Sequence, residues 1–254
     1  MGKIIAVSNQ KGGVGKTTTA VNLAAAFGGA GKKTLLVDID PQGNSSSGVG
    51  VDRRALQASV YDVLIRGAPP REAILHTAFA NLDLLPSSMD LAGAEVELAE
   101  KPHRESVLKA ALVQVRGAYD YILIDCPPSL GFITTNALTA ADSLLIPIQC
   151  EYYALEGLSQ LMNSVRRVKR QYNSGLDIEG VLLTMFDGRL NLTQQVTDEV
   201  KKYFPRKVYQ TVIPRTVRLS EAPSFGKPIQ YFDRSCKGAA AYNELAIEIM
   251  KNNP

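Results

Sequence analysis

Two lysines, Lys11 and Lys16, share one short glycine-rich run, Gln-Lys-Gly-Gly-Val-Gly-Lys-Thr-Thr at residues 10–18. The run lies between an apolar stretch, residues 4–7, and a helix-like one, residues 18–27, which is where a phosphate-binding loop must stand. Against the pattern G-x-x-x-x-G-K-S/T, Gly15, Lys16 and Thr17 match, while Gln10 replaces the first glycine. Backbone N–H groups along Gly12, Gly13, Val14, Gly15, Lys16, Thr17 and Thr18 can wrap phosphate oxygens, with the positive end of the helix dipole beneath them. Lys16 then reaches the β- and γ-phosphates, and Thr17 offers a hydroxyl to Mg²⁺. A second ammonium about 4 Å from the first would cost roughly 1–4 kcal/mol at surface-like dielectric. Lys11 is therefore expected to point out of the cradle, either into solvent or toward a nucleotide held by a second subunit.

Carboxylates stand where such a loop needs them. Val-Asp-Ile-Asp-Pro-Gln-Gly-Asn, residues 37–44, follows an apolar run and is rich in turn formers. Attack on a γ-phosphate needs a positioned water with a carboxylate near it, and Mg²⁺ needs oxygen partners, so Asp38 and Asp40 divide naturally between two tasks. Aspartates that merely cap turns and helices are the alternative. Asp125 ends another apolar run and is followed by Cys-Pro-Pro-Ser, where two prolines stop the strand. A carboxylate there can receive a magnesium-bound water.

The elements that must position these groups follow from periodicity. Short apolar runs at residues 4–7, 34–37, 82–85, 121–124, 144–148, 181–184 and 208–213 read as strands, with helical patterns between them. Near-continuous apolar strands such as Tyr-Ile-Leu-Ile-Asp belong to a parallel sheet buried on both faces. The fold class is therefore α/β, a doubly wound, mostly parallel sheet with helices on both faces, and its ligands are expected at the strand carboxyl ends. At 254 residues with no linker-like segment, residues 1–254 are expected to form one domain. Composition is that of an ordinary soluble protein, 45% hydrophobic and 21% charged. No run approaches a membrane span or a signal peptide, so a cytoplasmic location is expected. Cys126, Cys150 and Cys236, odd in number and far apart, fit reduced structural thiols better than disulfides or zinc. A net charge of +3 is no nucleic-acid footprint by itself.

Lys-Gly-Gly-Val-Gly-Lys-Thr-Thr together with Asp38-x-Asp40-Pro-Gln-Gly-Asn and Asp125-Cys-Pro-Pro-Ser resembles the deviant Walker A ATPases of the ParA/MinD superfamily, a branch of the P-loop NTPases. The resemblance runs nearly end to end with the chromosomal ParA/Soj family, through Glu-Tyr-Tyr-Ala-Leu-Glu-Gly-Leu at residues 151–158 and Arg-Leu-Ser-Glu-Ala-Pro-Ser at residues 218–224. It implies ATP and Mg²⁺ as ligands and an ATP-dependent sandwich homodimer in which Lys11 completes the partner's site as an arginine finger would, a role worth about 10³–10⁵ in rate. It further implies that Asp40 orients the attacking water, that Thr17, Asp38 and Asp125 serve the magnesium, and that Pro214 and Thr216 grip adenine, Thr216 standing where many relatives have asparagine. Glu151 would lie near nucleotide or partner. Arg189 and Arg218 match the DNA-contacting arginines of that family, although Leu190 replaces a common threonine and residues 232–237 are irregular. The implied function is ATP-controlled, sequence-independent binding of double-stranded DNA in the nucleoid, released by hydrolysis that a ParB-type centromere-binding protein stimulates, to segregate a chromosome or plasmid.

Two other classes compete. A MinD-like membrane-positioning ATPase would dock a C-terminal amphipathic helix on lipid, but Glu244 and Glu248 flank the apolar stripe Tyr242, Leu245, Ala246, Ile249, Met250, where a membrane-surface helix wants Lys or Arg. An electron-transfer ATPase would need paired cluster cysteines, and the three here sit in unlike settings.

Overall fold

Parallel strands buried on both faces form the centre of the molecule, described here from a computed structural model over residues 2–151 and 156–253. The strands are β1 Lys3–Val7, β2 Thr34–Asp38, β3 Leu75–His76, β4 Leu82–Leu85, β5 Tyr121–Asp125, β6 Ser143–Gln149 and β7 Asp177–Thr184. They assemble in the order β3-β4-β2-β5-β1-β6-β7, all parallel except the short edge strand β3. The first half supplies the helices α1 Lys16–Gly29, α2 Asn44–Gly48, α3 Pro70–Ala73, α4 Ala94–Ala99 and α5 Val107–Val113. The second half supplies α6 Phe132–Ala140, α7 Glu156–Gln171, α8 Asn191–Tyr203, α9 Val217–Glu221, α10 Ile229–Phe232 and α11 Lys237–Asn252.

Helices cover both faces, as the buried strand pattern requires. Side chains of α5, α6, α7 and α8 pack with Ile4, Val37, Ile122 and Ile146 on one face. Those of α1 and α11 pack with Ile5, Leu36, Leu123 and Leu145 on the other, where Phe27 stacks on Tyr121 at 4.1 Å. The apolar stripe of α11 is consumed by this packing: Tyr242, Leu245, Ala246 and Ile249 are buried, and the Tyr242 hydroxyl lies 3.3 Å from Thr19 Oγ1. Among the described residues no helix is long and apolar enough to cross a membrane.

Residues 208–213, expected as a strand, are not one. Tyr209 N–H donates to the Val181 carbonyl and Ile213 N–H to that of Leu183, but between these bridges the segment leaves the sheet. The Gln210 and Thr211 N–H groups donate instead to Oε1 and Oε2 of Glu248 at 2.9 and 3.0 Å. A carboxylate from α11 thus takes the donors that a ladder would have used. The Tyr209 ring adds to the departure by filling the space beside Gly180, where a Cβ would fall 2.4 Å from ring carbons. The other edge instead gains β3, two residues long and absent from the sequence reading.

Register brings the chemistry together. Val7 pairs with Asp125, and Asp125 with Asp38, so β1, β5 and β2 end level with one another. The loop after β1 and both carboxylates therefore share one crevice at the strand carboxyl ends, on the side where β1 separates β5 from β6.

Candidate functional site

Gly13 and Gly15 adopt left-handed backbone, φ 75 and 88, which few residues other than glycine tolerate. Gly15 caps the start of α1, with the Thr19 N–H donating to its carbonyl at 2.8 Å. A Cβ added at Gly12 or Gly13 would meet nothing within 4 Å, so the loop borders open space of the kind a phosphate chain fills. The loop is pinned from outside itself. Asn9 Oδ1 accepts the Lys11 N–H while its Nδ2 donates to the Pro147 carbonyl, and Thr184 Oγ1 at the end of β7 donates to the Val14 carbonyl at 2.8 Å.

The two lysines part company here. Lys16 is buried and donates from Nζ to the Lys11 carbonyl at 3.1 Å, spanning the loop from within. Burial lowers its pKa, opposed by Asp125. Lys11 instead reaches the rim and pairs with Glu151 Oε2 at 3.0 Å. Tyr152 and Tyr153, next in the chain, lie outside the described residues.

Asp38 and Asp125 are fully buried, and burial raises the pKa of both, the Asp38 carboxylate adding to the rise at Asp125. They differ in their partners. Asp38 Oδ2 accepts from Ser46 N–H and Oγ, both at 2.7 Å, and its Oδ1 from Asp40 N–H at 3.2 Å, so this carboxylate anchors the start of α2. Asp125 Oδ2 accepts from Ser45 Oγ at 2.7 Å, whereas its Oδ1 is buried without a hydrogen-bond partner and the Thr17 hydroxyl lies beside the carboxylate. An orphaned buried oxygen next to a hydroxyl suits a magnesium-bound water. No group of three or more His, Cys, Asp or Glu able to hold a metal exists among the described residues. Asp40, nearly buried, accepts the Gln42 N–H on Oδ1 at 2.9 Å and stands where the loop turns above these carboxylates.

Pro214 and Thr216 line a cavity of about 360 Å³ together with Gly15, Thr18 and Met185, which places it against the phosphate loop. Its volume is that of a small-molecule pocket. The Thr216 hydroxyl is spent on the Arg218 N–H at the start of α9, which leaves its backbone and methyl group to line the cavity. Arg189 and Arg218 lie outside this crevice and exposed. Arg189 forms a two-bonded pair with Asp187, and Arg218 contacts Asp233 at 2.8 Å and Glu221 at 3.0 Å while its guanidinium lies over Phe232. Cys126, Cys150 and Cys236 are all free thiols.

Residues that the sequence reading passed over include Asn9, Thr184, Ser45, Ser46, Arg53 and Ser87. Only Ser45 and Ser46 had a visible signal, the hydroxyl-rich run Asn-Ser-Ser-Ser shortly after the Asp38–Asp40 segment.

Comparison with known proteins places this geometry. The family described as an AAA domain matches residues 2–178. The chain is 60% identical over 252 residues to the sporulation initiation inhibitor protein Soj of Bacillus subtilis, covering 99% of this chain and 100% of that one. It is 53% identical to the chromosome partitioning protein ParA of Myxococcus xanthus, covering 100% of this chain and 89% of that one. The crystal structure of cobyrinic acid a,c-diamide synthase from Mycobacterium smegmatis, with bound ATP analog and magnesium, superposes with a TM-score of 0.88 at 37% identity, covering 99% and 96% of the two chains. A glycine loop with its lysine buried, a buried Asp125 with one unpartnered oxygen and end-to-end likeness to Soj and ParA identify the chain as an ATPase of the ParA/Soj family, using ATP and Mg²⁺ on a P-loop fold.

Proposed function

We propose that this chain, acting as a single ATPase domain, is a DNA-partitioning switch: two ATP-bound copies close face to face, bind double-stranded DNA without sequence preference, and let go on hydrolysis. The observation that carries this reading is the divergence of the two lysines, Lys16 inside the loop and Lys11 on its rim. A cation held at the rim by one exposed carboxylate can exchange Glu151 for the triphosphate of a second copy at small cost, since such surface pairs are worth about 0–1 kcal/mol. Each Lys11 would then complete the partner's site.

Within one site, Lys16 and the N–H groups from Gly12 to Thr18 hold the β- and γ-phosphates. Thr17 and Asp125 would hold Mg²⁺, which neutralises phosphate charge, while Asp38 supports that shell by fixing the Ser46 end of α2. Asp40 orients the attacking water. Pro214 and Thr216 border the base.

DNA contact falls to Arg189 and Arg218. In the free chain both are neutralised by carboxylates, so a phosphate must displace Asp187 or the Asp233 and Glu221 pair. Weak binding by one copy follows, and doubling the contacts in a dimer ties DNA residence to ATP. A ParB-type centromere-binding protein is the expected trigger of hydrolysis, and chromosome or plasmid segregation in the nucleoid is the expected outcome. Relatives named chromosome partitioning protein ParA support this assignment. Burial of the α11 stripe against α1 weighs against the MinD-like alternative.

Sizing with ATP and Mg²⁺ tests the proposal. The Asp40→Ala variant is expected to accumulate as a dimer that stays on DNA, and Lys11→Ala to bind ATP yet remain monomeric. A monomeric Asp40→Ala protein under saturating ATP would contradict the assignment.

A further inference from the structure

Arg53 ties the Asp40 loop to the loop after β4. It opens the short 3₁₀ turn Arg53–Ala55, where Asp52 caps the turn and pairs with the outward-facing Arg54, leaving Arg53 to face inward. Its Nη2 donates to the Pro41 carbonyl at 2.7 Å, its Nη1 to the Gln42 carbonyl, and its Nε to the Ser87 carbonyl at 3.3 Å. No carboxylate of the described residues forms an ion pair with it. The guanidinium is thus spent on three main-chain oxygens in two loops, the one after β2 and the one after β4. Only a planar fork of donors can do this, because a lysine ammonium lacks the reach in three fixed directions.

The neighbours are built around that guanidinium. Gly43 has φ 63, which favours glycine, and a Cβ there would fall 2.2 Å from the Arg53 Cζ and Nε, so a side chain at this position would displace the guanidinium. Ser87 closes the clamp from the other side, donating from Oγ to the Asp40 carbonyl at 2.6 Å and from its N–H to Ser46 Oγ at 3.0 Å. Gly43 N–H also donates to the Asp40 carbonyl, at 2.8 Å. Every backbone oxygen from Asp40 to Gln42 is therefore held, and the direction of the Asp40 carboxylate follows from that frame.

We propose that Arg53 is a positioning residue for ATP hydrolysis, clamping the Asp40–Gly43 backbone onto the loop after β4 and so setting where the Asp40 carboxylate stands. The inference rests on the reading of Asp40 as the group that orients water. Arg53 is not among the residues lining the cavity beside the phosphate loop, and its hydrogen bonds go to backbone carbonyls, so its effect belongs on turnover and not on nucleotide affinity.

The full chain should be compared with its Arg53→Ala, Arg53→Lys, Arg53→Gln and Asp40→Ala variants in single-turnover ATP hydrolysis, with affinity read from a fluorescent ATP analogue with Mg²⁺. A misplacement of about 1 Å costs up to roughly 100-fold, so Arg53→Ala is expected to hydrolyse about 10- to 100-fold more slowly with nucleotide affinity within about twofold of the parent. Arg53→Lys should recover part of the rate, and amide exchange should quicken in residues 40–47 alone. Parent-like turnover in Arg53→Ala while Asp40→Ala is inactive overturns the role of Arg53 and leaves that of Asp40 standing. Parent-like turnover in Asp40→Ala overturns the reading beneath it. Weakened nucleotide binding with a melting-temperature drop in all folded Arg53 variants would mark a merely structural residue and likewise overturn the proposal. Should Arg53→Ala fail to fold, the same criteria apply to the lysine and glutamine variants.

Discussion

Asp38 and Asp125 show how burial sets the behaviour of single side chains. Both carboxylates titrate above their ordinary range, pushed up to about 6 and about 7 mainly by loss of water. A raised folded-state value means that the folded chain holds these protons more tightly than the unfolded one. Their contribution is then most favourable below about pH 4, the unfolded carboxylate value, and is lost as pH rises through the folded values. The nucleotide-free protein is accordingly expected to melt at a lower temperature at pH 8 than at pH 5.5, with Mg²⁺ and ATP flattening the dependence by supplying a cation beside Asp125. Calorimetry over that range checks it, and Asp125→Asn should remove part of the slope. The same scale explains what could be read in advance. Lys16, Thr17 and Asp125 were legible because each sits within a short motif, whereas Arg53 acts on oxygens 11 and 12 residues away, and a further one 34 residues away, through no motif at all.

Strands β1, β2, β4, β5 and β6 fall where their apolar runs put them, because buried parallel strands must be apolar along their whole length. Residues 208–213, Val-Tyr-Gln-Thr-Val-Ile, are rich in strand formers and yet make no ladder, since Glu248 of α11 binds two of their N–H groups. That carboxylate lies 37 residues away and belongs to the helix face that looked merely acidic in the sequence. Glu248→Ala is expected to lose about 0.5–1.5 kcal/mol by removing those two hydrogen bonds, one of them exposed to solvent, a fall in melting temperature of about 2–4 °C per kcal/mol for a chain of this size. Glu248→Gln, which keeps one acceptor oxygen, should lose less. A variant as stable as the parent would show that water satisfies the segment equally well.

At the scale of the molecule, +3 net charge leaves the proposed DNA binding to local placement and to the number of copies engaged. With Arg189 and Arg218 from each of two subunits, about four phosphate contacts give a log–log salt slope of roughly −3.6, and replacing Arg189 by alanine should reduce it by roughly 1.8. Binding isotherms on random duplex at several salt concentrations with ATP measure this, and a slope unchanged in both arginine variants would move the interface to the exposed basic residues of α7 or α8. The sequence alone determined the phosphate loop, the buried parallel strands and the carboxylates at their ends, because each signal is carried by residues within one turn or one strand of each other. Tertiary structure alone decided that Asp38 stands level with Asp125, that Lys11 meets Glu151 across 140 positions, and that Arg53 grips the loop of Asp40. These contacts depend on the order in which strands are laid beside one another, and that order places residues together whose separation along the chain carries no periodic trace.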